Sequence, residues 1–355
     1  MPRARLGDGS WQLEDDALAA LRAKIKGRRK TLSEVYGPPL YGIKTGLNEA
    51  FIVSSEQRDA LVNRDPRSVE LLVPFLRGEN IKRWRVESEG LFLINIPRGK
   101  VRIDDYPAIR DHLLAFKPAL EARATKQEWF ELQQSQLAFQ DEMKKDKVIW
   151  PQIICRGEFC LDTEKFFPIN KAYFFQSSDH ALVGYLNAKL IWFYFASFSV
   201  LKSGGFREAT AQHISLLPDP EFESSPLLHA QLKVRSETCA LAAGKREQTR
   251  KDVIRRFQDL CPRQCTLKTT EKLRQWWTLD FKAFQAEIKK AFKANIPLAQ
   301  RNEWDTFLRE EGDKVRHLTA EIEKAEREID RLVYELFNLA PEEIALLESA
   351  LAGQY

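Results

Sequence analysis

The sequence predicts an α+β protein in which a mixed α/β domain precedes a region of long helices with a coiled-coil-like pattern. Up to Pro220, short apolar runs bounded by glycine and proline alternate with stretches of helical periodicity. Beyond Pro220 the pattern is helical almost throughout. At 355 residues the chain exceeds the ~250–300 residues that one hydrophobic core usually serves. We therefore predict a helical lead-in at 1–35, an α/β domain at 36–222 and a helical region at 223–355.

The first helix is predicted over Glu14–Lys30, because Leu18, Leu21 and Ile25 recur at three and four residues. Its second half carries basic residues and no acid, namely Arg22, Lys24, Lys26, Arg28, Arg29 and Lys30. A solvated helix face and a strip that contacts phosphates both fit this run, so both interpretations stay open. The net charge of the whole chain is only +4, which by itself argues weakly for nucleic acid.

Short strands are predicted where apolar runs end at turn residues. Tyr41–Val53 is predicted to form two strands around a turn, since its Gly and Asn residues tolerate positive φ. Leu91–Ile96 is a further strand that Pro97 stops. The other predicted strands are Lys147–Ile154, Ala172–Phe175 and Ile214–Leu217. Between them, Tyr106–Ala122 has helical periodicity and Lys202–Arg207 is a glycine-containing loop.

The most apolar stretch, Ala181–Leu201, is predicted to be a buried helix over 179–199 with Asp179 as its N-cap. Asn187 and Lys189 interrupt it, and its length is at the lower limit for a bilayer span of ~20 residues. We therefore expect no membrane association. The sequence shows no secretory signal, which favours a cytoplasmic protein with reduced cysteines.

Five cysteines raise the question of zinc. Cys261 and Cys265 have a suitable ligand spacing, but a second pair would have to come from Cys239 and His229. We expect structural thiols, with zinc as the alternative.

The long-helix prediction rests on a heptad pattern near the end of the chain. Steps of three and four residues separate Val315, Leu318, Ile322, Ala325, Ile329, Leu332 and Leu336. A weaker stripe runs through Leu228, Leu232, Arg235, Cys239 and Ala242. The simplest arrangement pairs the two helices antiparallel.

Motifs for catalysis are missing. The sequence has no Asn/Asp/Ser-Pro-Pro-aromatic motif for methylating an amino group, no glycine-rich cofactor loop and no phosphate-binding Gly-Lys-Ser/Thr loop. Asp280, Glu287 and Lys289 resemble a metal-dependent nuclease site only superficially, because the residues between them mark an amphipathic helix. We therefore expect no catalytic residue and no metal site in this chain.

Polar side chains in loops and at strand ends are better suited to binding. Arg and Lys can pair with guanine, and Asn and Gln with adenine. The candidates for DNA contact are Lys44, Thr45, Asn48, Arg77, Lys82, Arg83, Trp84, Lys202, Arg207 and Gln212. Each alone is more often an ordinary surface residue.

Several segments, in their order, resemble the TaqI-like C-terminal specificity domain of Type IIG restriction–modification enzymes and related phage-defence DNA adenine methyltransferases. The similar segments are Tyr41–Phe51, Val73–Trp84, Tyr106–Leu113, Leu182–Leu190, Gly204–Pro218, Ile329–Phe337 and Pro341–Ile344. The resemblance extends from about Trp11 to Leu347.

This resemblance implies sequence-specific recognition of double-stranded DNA beside a DNA adenine methyltransferase catalytic domain or subunit. The catalytic motifs would lie upstream of Met1. This chain would then be a fragment of the enzyme, a truncated reading frame or a separate specificity subunit. S-adenosylmethionine would then be the cofactor of the parent enzyme, with magnesium left open, and this chain would hold none. The alternative is a protein-interaction or assembly module without autonomous DNA binding.

The resemblance also suggests where DNA would lie. We expect a cleft within residues 40–220 lined by Lys44, Arg77, Arg83, Lys202 and Arg207. Lys44, beside a tight turn, is expected to contact phosphate. Arg207, after a flexible Ser-Gly-Gly stretch, is expected to read guanine.

Overall fold

The computed structural model describes residues 16–261 and 269–353, which form two compact units. Unit 1 comprises residues up to Leu232 together with those from Asp330 onward, and unit 2 comprises Lys233–Ile329. Both changes of unit fall inside long helices, whereas the sequence placed its boundary near residue 222, where the helical pattern starts. Hydrophobic periodicity indicates where a helix begins. It does not show which of two hydrophobic cores each turn of that helix packs against. Trp11, Glu14 and Cys265 lie outside the described residues.

Helices supply most of the ordered structure. They are α1 Asp16–Lys26, α2 Leu32–Tyr36, α3 Asn48–Phe51, α4 Ser55–Arg64, α5 Pro107–Leu114, α6 Lys117–Glu121, α7 His180–Asn187, α8 Lys189–Ala196, α9 Ala211–Ser215, α10 Pro226–Arg256, α11 Glu271–Arg274, α12 Phe281–Phe292, α13 Arg301–Leu336 and α14 Pro341–Ala352.

The strands are short and lie in unit 1. They are β1 Leu40–Tyr41, β2 Ile52–Val53, β3 Leu72–Leu76, β4 Ile81–Lys82, β5 Arg85–Val86, β6 Phe92–Ile94, β7 Lys147–Pro151, β8 Ile153–Ile154, β9 Cys160–Asp162, β10 Phe167–Pro168, β11 Ala172–Gln176 and β12 Arg207–Glu208. The fold is thus mixed α+β with long helices near the end of the chain, as the sequence predicted.

Two four-stranded sheets organise unit 1. The first has the antiparallel order β1-β11-β7-β9, and the second has the order β10-β3-β6-β2, in which only β10 and β3 are parallel. Two-stranded ladders join β12 to β8 and β4 to β5. A shared apolar core includes Phe51, Phe75, Ile94, Ile109 and Phe174.

A buried ion pair connects two strands of the first sheet. Lys147 on β7 and Asp162 on β9 are both buried, with 2.6 Å between Nζ and Oδ2. Lys147 also donates to the Met143 carbonyl, and Asp162 accepts from the backbone amides of residues 164–166. Burial lowers the pKa of Lys147, an effect that Asp162 opposes. The pair fixes the turn that follows β9.

The apolar stretch after Asp179 is two helices, not the single helix that was predicted. Asp179 caps α7 as expected, since its side chain accepts from the Ala181 amide at 2.8 Å. The helix stops before Ala188, which has extended backbone angles. The new N-terminus at Lys189 donates its amide to Asp330, at 2.8 Å. A carboxylate 141 residues away therefore stabilises the start of α8.

Three other predictions of local structure are wrong in part. Tyr41–Val53 is not a hairpin, because β1 and β2 belong to different sheets and α3 lies between them. Ile214–Leu217 was predicted to be a strand, but α9 occupies most of it. Tyr106–Ala122 is broken into α5 and α6, the second of which begins beside Pro118.

Unit 2 pairs its parts of α10 and α13 in opposite directions. Arg235 forms an ion pair with Glu328 at 2.5 Å, and farther along α10 the Arg246 guanidinium donates to the Thr319 hydroxyl. Four of the predicted heptad residues within this unit are buried: Val315, Ile322, Ala325 and Ile329. An aromatic core containing Phe257, Trp276, Phe284 and Trp304 completes the unit.

Residues 16–261 and 269–353 contain neither a membrane-spanning helix nor a cluster of metal ligands. No helix there is long and apolar enough to cross a membrane. No group of three or more His, Cys, Asp or Glu side chains in the same ranges is placed to hold a metal ion. Cys265, half of the zinc-like pair, belongs to the residues that are not described.

Candidate nucleic-acid interface

Residues 168–171, which connect β10 to β11, are the meeting point of three loops that carry predicted DNA contacts. The Lys44 and Arg77 loops are joined to this segment by backbone hydrogen bonds and close backbone contacts, and the Lys202 loop is joined to it indirectly through Gln152. The loops contribute Lys44, Arg77 and Lys202, which are far apart in the sequence. We call residues 168–171 the linker segment.

The Lys44 loop is attached through its preceding residues. The Ile43 amide donates to the Pro168 carbonyl at 2.8 Å, and the Ile43 carbonyl accepts from the Asn170 amide at 2.9 Å. Gly42 permits this approach, because a Cβ at that position would lie 2.1 Å from the Pro168 carbonyl oxygen. Lys44 itself is exposed, and within the described residues its side chain has neither a hydrogen-bond partner nor a counter-ion.

The Arg77 loop lies against the other side of the linker segment. The Ile169 amide donates to the Leu76 carbonyl at 2.9 Å, and a Cβ at Gly78 would lie 3.3 Å from the Lys171 carbonyl oxygen. The Arg77 guanidinium is 3.5 Å from Glu79 and 4.0 Å from Glu89. Exposed ion pairs of this kind stabilise by only about 0–1 kcal/mol, so Arg77 can exchange them for a phosphate.

The third loop carries Lys202 and reaches the linker segment through Gln152. The Gln152 amide donates to the Lys171 carbonyl, and its side-chain amide donates to Glu208 at 2.9 Å. Glu208 pairs with Lys202 at 3.1 Å. Hydrogen bonds from Lys202 and Gln152 lower the pKa of Glu208, so this carboxylate stays ionised and holds Lys202 beside β12.

Lys171 is a candidate that the sequence analysis missed. It is exposed at the end of the linker segment, and within the described residues its side chain has no partner. Its carbonyl meets both the Arg77 loop and Gln152. Its one local signal, a lysine before a predicted strand, is too common to single it out. Its significance comes from contacts that are distant in the sequence.

Several predicted contacts are instead built into the fold. Trp84 is only 4% exposed, and Thr45 is 2% exposed with its hydroxyl donating to Asn48 at 2.7 Å. The Arg83 guanidinium donates to the carbonyls of Gly157 and Asn187 at 2.7 and 2.9 Å. It thus satisfies backbone oxygens at the end of α7 and does not extend from the surface.

The remaining candidates lie in different surroundings. Lys82 is exposed on β4, where its charge acts on Glu158 together with that of Arg156. Asn48 and Gln212 are exposed, the first at the start of α3 and the second on α9. The loops of Lys44, Arg77 and Lys202 therefore meet at the linker segment. Lys82 lies instead near Glu158.

Arg207, the predicted guanine reader, is half-buried on β12. Its guanidinium donates to the Ser199 carbonyl at 3.0 Å. Reading a base would require it to give up this contact. Its predicted role therefore carries an intramolecular cost that the sequence did not show.

The basic run of α1 is partly absorbed by packing within unit 1. Lys24 pairs with Glu343 at 2.5 Å, and Arg29 donates to the carbonyls of Asp219 and Leu336 while lying over the Phe337 ring. Lys24 on α1, and Arg29 in the residues that follow α1, thus attach this part of unit 1 to residues 336–343. At these two positions the side chains are engaged within the fold, which neither the solvated-face interpretation nor the phosphate strip had anticipated.

Comparison with known proteins shows what the middle of the chain is similar to. Residues 73–218 match the model of the TaqI-like C-terminal specificity domain. The predicted family resemblance is therefore confirmed over this range, which includes Arg77, Lys171 and Lys202. The matched range is narrower than the resemblance expected from the sequence, and a separate model, a domain of unknown function (DUF8810), matches residues 229–333.

Two longer proteins are similar to this chain. A Type II methyltransferase of Pseudomonas aeruginosa, M.PaeR7I, is 23% identical over 236 residues, which are 63% of this chain and 39% of the relative. A solved structure of the Type IIL restriction–modification enzyme MmeI in complex with DNA aligns with a TM-score of 0.45 and 12% identity, over 89% of this chain and 35% of that protein. The chain thus spans well under half the length of either.

Proposed function

We propose that this chain recognises specific sequences in double-stranded DNA for a DNA adenine methyltransferase or restriction–modification enzyme. The observation that carries the proposal is the specificity-domain match over residues 73–218. The geometry supports it, because the loops of three predicted contacts, together with the newly identified Lys171, meet at the linker segment. An exposed cation without a counter-ion is the group that a phosphate backbone attracts.

The two tasks of recognition fall to different side chains in this proposal. Lys44, Lys171, Arg77 and Lys202 contact phosphates and set the orientation of the duplex. Asn48, Arg207 and Gln212 are the candidates for base edges, since their side chains can form paired hydrogen bonds with adenine or guanine. Phosphate contacts raise the affinity for every sequence, and base contacts discriminate between sequences.

Catalysis belongs to a different domain or subunit in this proposal. That part binds S-adenosylmethionine and, in an enzyme that also cuts DNA, magnesium, and it has the organisation of a Type IIG or phage-defence system. The present chain supplies specificity and no reaction chemistry. Incubation of the chain with labelled S-adenosylmethionine and duplex DNA is expected to transfer no label, and methylated DNA would contradict this assignment.

Salt-dependent binding of mixed-sequence duplex tests the proposal. Four phosphate contacts predict that log K falls against log salt with a slope of about −3.6, and each further phosphate contact would steepen it by about 0.9. The expected result is binding at low salt that weakens with this steepness. The absence of binding by the folded chain at low salt would contradict DNA recognition.

An exposed apolar patch favours a second candidate function, a protein-interaction or assembly module. Val200 and Leu201 are 47% and 62% exposed, and the neighbouring Ile153 and Phe206 are 42% and 43% exposed. Contiguous exposed apolar side chains are typical of surfaces that contact another protein. A chain that binds a methyltransferase catalytic domain stably but binds no duplex would favour this function over the first.

A further inference from the structure

The turn at Pro97–Arg102 carries three exposed basic side chains and lies outside the site described above. Arg98, Lys100 and Arg102 are exposed, and Gly99 between them has a φ of +66°. Arg102 is 3.9 Å from Asp105. Within the described residues, Arg98 and Lys100 have no hydrogen-bond partner or counter-ion for their side chains.

A buried carboxylate holds this exposed turn. Glu131 is only 4% exposed, its Oε1 accepts from the Gly99 amide at 2.6 Å, and its Oε2 accepts from the Glu128 amide at 3.0 Å. The Leu132 amide donates to the Ile96 carbonyl at 3.0 Å just before the turn. Burying a carboxylate is costly unless it is well hydrogen-bonded, and here its bonds fix the backbone that carries Arg98 and Lys100.

Arg123 connects the same region to the Lys44 loop. Its Nη1 donates to the carbonyls of Thr45 and Glu131, both at 2.9 Å, and its other nitrogens donate to the carbonyls of Leu120 and Trp129. Gly46 allows this contact, because a Cβ there would lie 2.7 Å from the Arg123 Cδ. Arg123 and Glu131 therefore fix the position of the basic turn relative to the Lys44 loop.

We propose that the Pro97–Arg102 turn is a further contact for the DNA phosphate backbone, through Arg98 and Lys100. The inference rests on the proposed function and extends it to a surface that the sequence analysis did not single out. The nearby acids Asp104 and Asp105 are engaged by Arg110 and Arg102, which leaves the charges of Arg98 and Lys100 uncompensated. The contact acts on all sequences alike, because phosphates carry no base information.

The experiment compares duplex binding by the full chain and by Arg98→Gln/Lys100→Gln over a range of salt concentrations. Loss of two phosphate contacts is expected to flatten the slope of log K against log salt by about 1.8. Lys282→Gln/Lys289→Gln on α12 is the matched control, since it removes the same charge from two exposed lysines of unit 2. Arg98→Lys/Lys100→Arg keeps the charge and is expected to keep the parent slope.

The outcomes separate this inference from the function on which it rests. A parent chain that binds no duplex overturns both. If the parent binds with a steep salt slope and the Arg98→Gln/Lys100→Gln variant has the same slope, only the proposed contact at the turn is contradicted. Equal flattening in the control pair, or loss of the slope in the charge-conserving variant, also overturns it, because the effect would then come from net charge or from folding. Thermal melting of each variant confirms that it is folded.

Discussion

The loops at residues 42–48 and 77–85 carry similar polar side chains and use them differently. In the first loop the cation Lys44 is exposed, while Thr45 is turned inward to bond Asn48. In the second loop Arg83 and Trp84 are held in the fold, and the cations at its surface are Arg77 and Lys82. Both loops were candidates for DNA contact for the same reason, a concentration of basic and polar residues.

The difference follows from the chemistry of the two cations. A guanidinium has several donors in a fixed plane and can satisfy two or three carbonyls at once, as Arg83 and Arg123 do here. An ammonium is a point charge on a flexible stem and more often remains solvated. Basic residues therefore fall into two classes, those that support the fold and those that stay at the surface, and residue type alone does not separate them, since Arg77 is at the surface and Lys147 is buried.

The largest expected effect comes from the most buried cation. Lys147→Met leaves Asp162 buried without its partner, which ordinarily costs about 3–5 kcal/mol. The free energy of unfolding, measured by denaturant titration, should fall by this amount. Lys171→Met is the control and should leave stability unchanged. If the two variants unfold alike, the division into supporting and exposed cations does not hold.

A matched pair of substitutions tests the two loops directly. Arg83→Met is expected to lower the free energy of unfolding by about 1.5–3 kcal/mol, because hydrogen bonds from a charged group to Gly157 and Asn187 are lost. Lys44→Met is expected to leave stability unchanged and to flatten the salt dependence of duplex binding by about 0.9. If Lys44→Met destabilises the chain, or if Arg83→Met changes only DNA binding, the different roles assigned to Lys44 and Arg83 are contradicted.

Arg207 lies between the two classes, and its substitution gives the smallest and most specific effect. If the chain is joined to a methyltransferase catalytic domain, as the proposed function requires, Arg207→Ala is expected to relax the methylated target at one base pair, by about 1–3 kcal/mol. Sequencing of methylated sites measures this. An unchanged target with reduced stability would assign Arg207 to its bond with Ser199 and leave base reading to Asn48 or Gln212.

Local patterns predicted the parts of the fold that local interactions determine. Asp179 is the predicted N-cap, and Leu91–Ile96 contains β6. The heptad pattern lies on α13 as expected. The break before α6 could also have been found, since a proline follows Lys117.

Other features depend on contacts between distant segments and could not be predicted this way. The break at Ala188 is stabilised by Asp330 on α13. Ile214–Leu217 has a strand-like composition, but Thr210 starts a helix just before it. Lys171 became a candidate only through the contacts of its carbonyl with Gly78 and Gln152, and the Arg98 turn only through its attachment to Glu131 and Arg123. The sequence therefore showed the resemblance to the specificity domain that residues 73–218 match, and the structure showed which loops meet.

Selection from a randomised duplex library tests the central claim, sequence-specific recognition, most directly. The chain is incubated with the library at moderate salt, and the bound duplexes are sequenced over successive rounds. The account predicts enrichment of one short motif, in which each mismatched base pair costs about 1–3 kcal/mol. A library that stays random while the folded chain binds every duplex equally would contradict it.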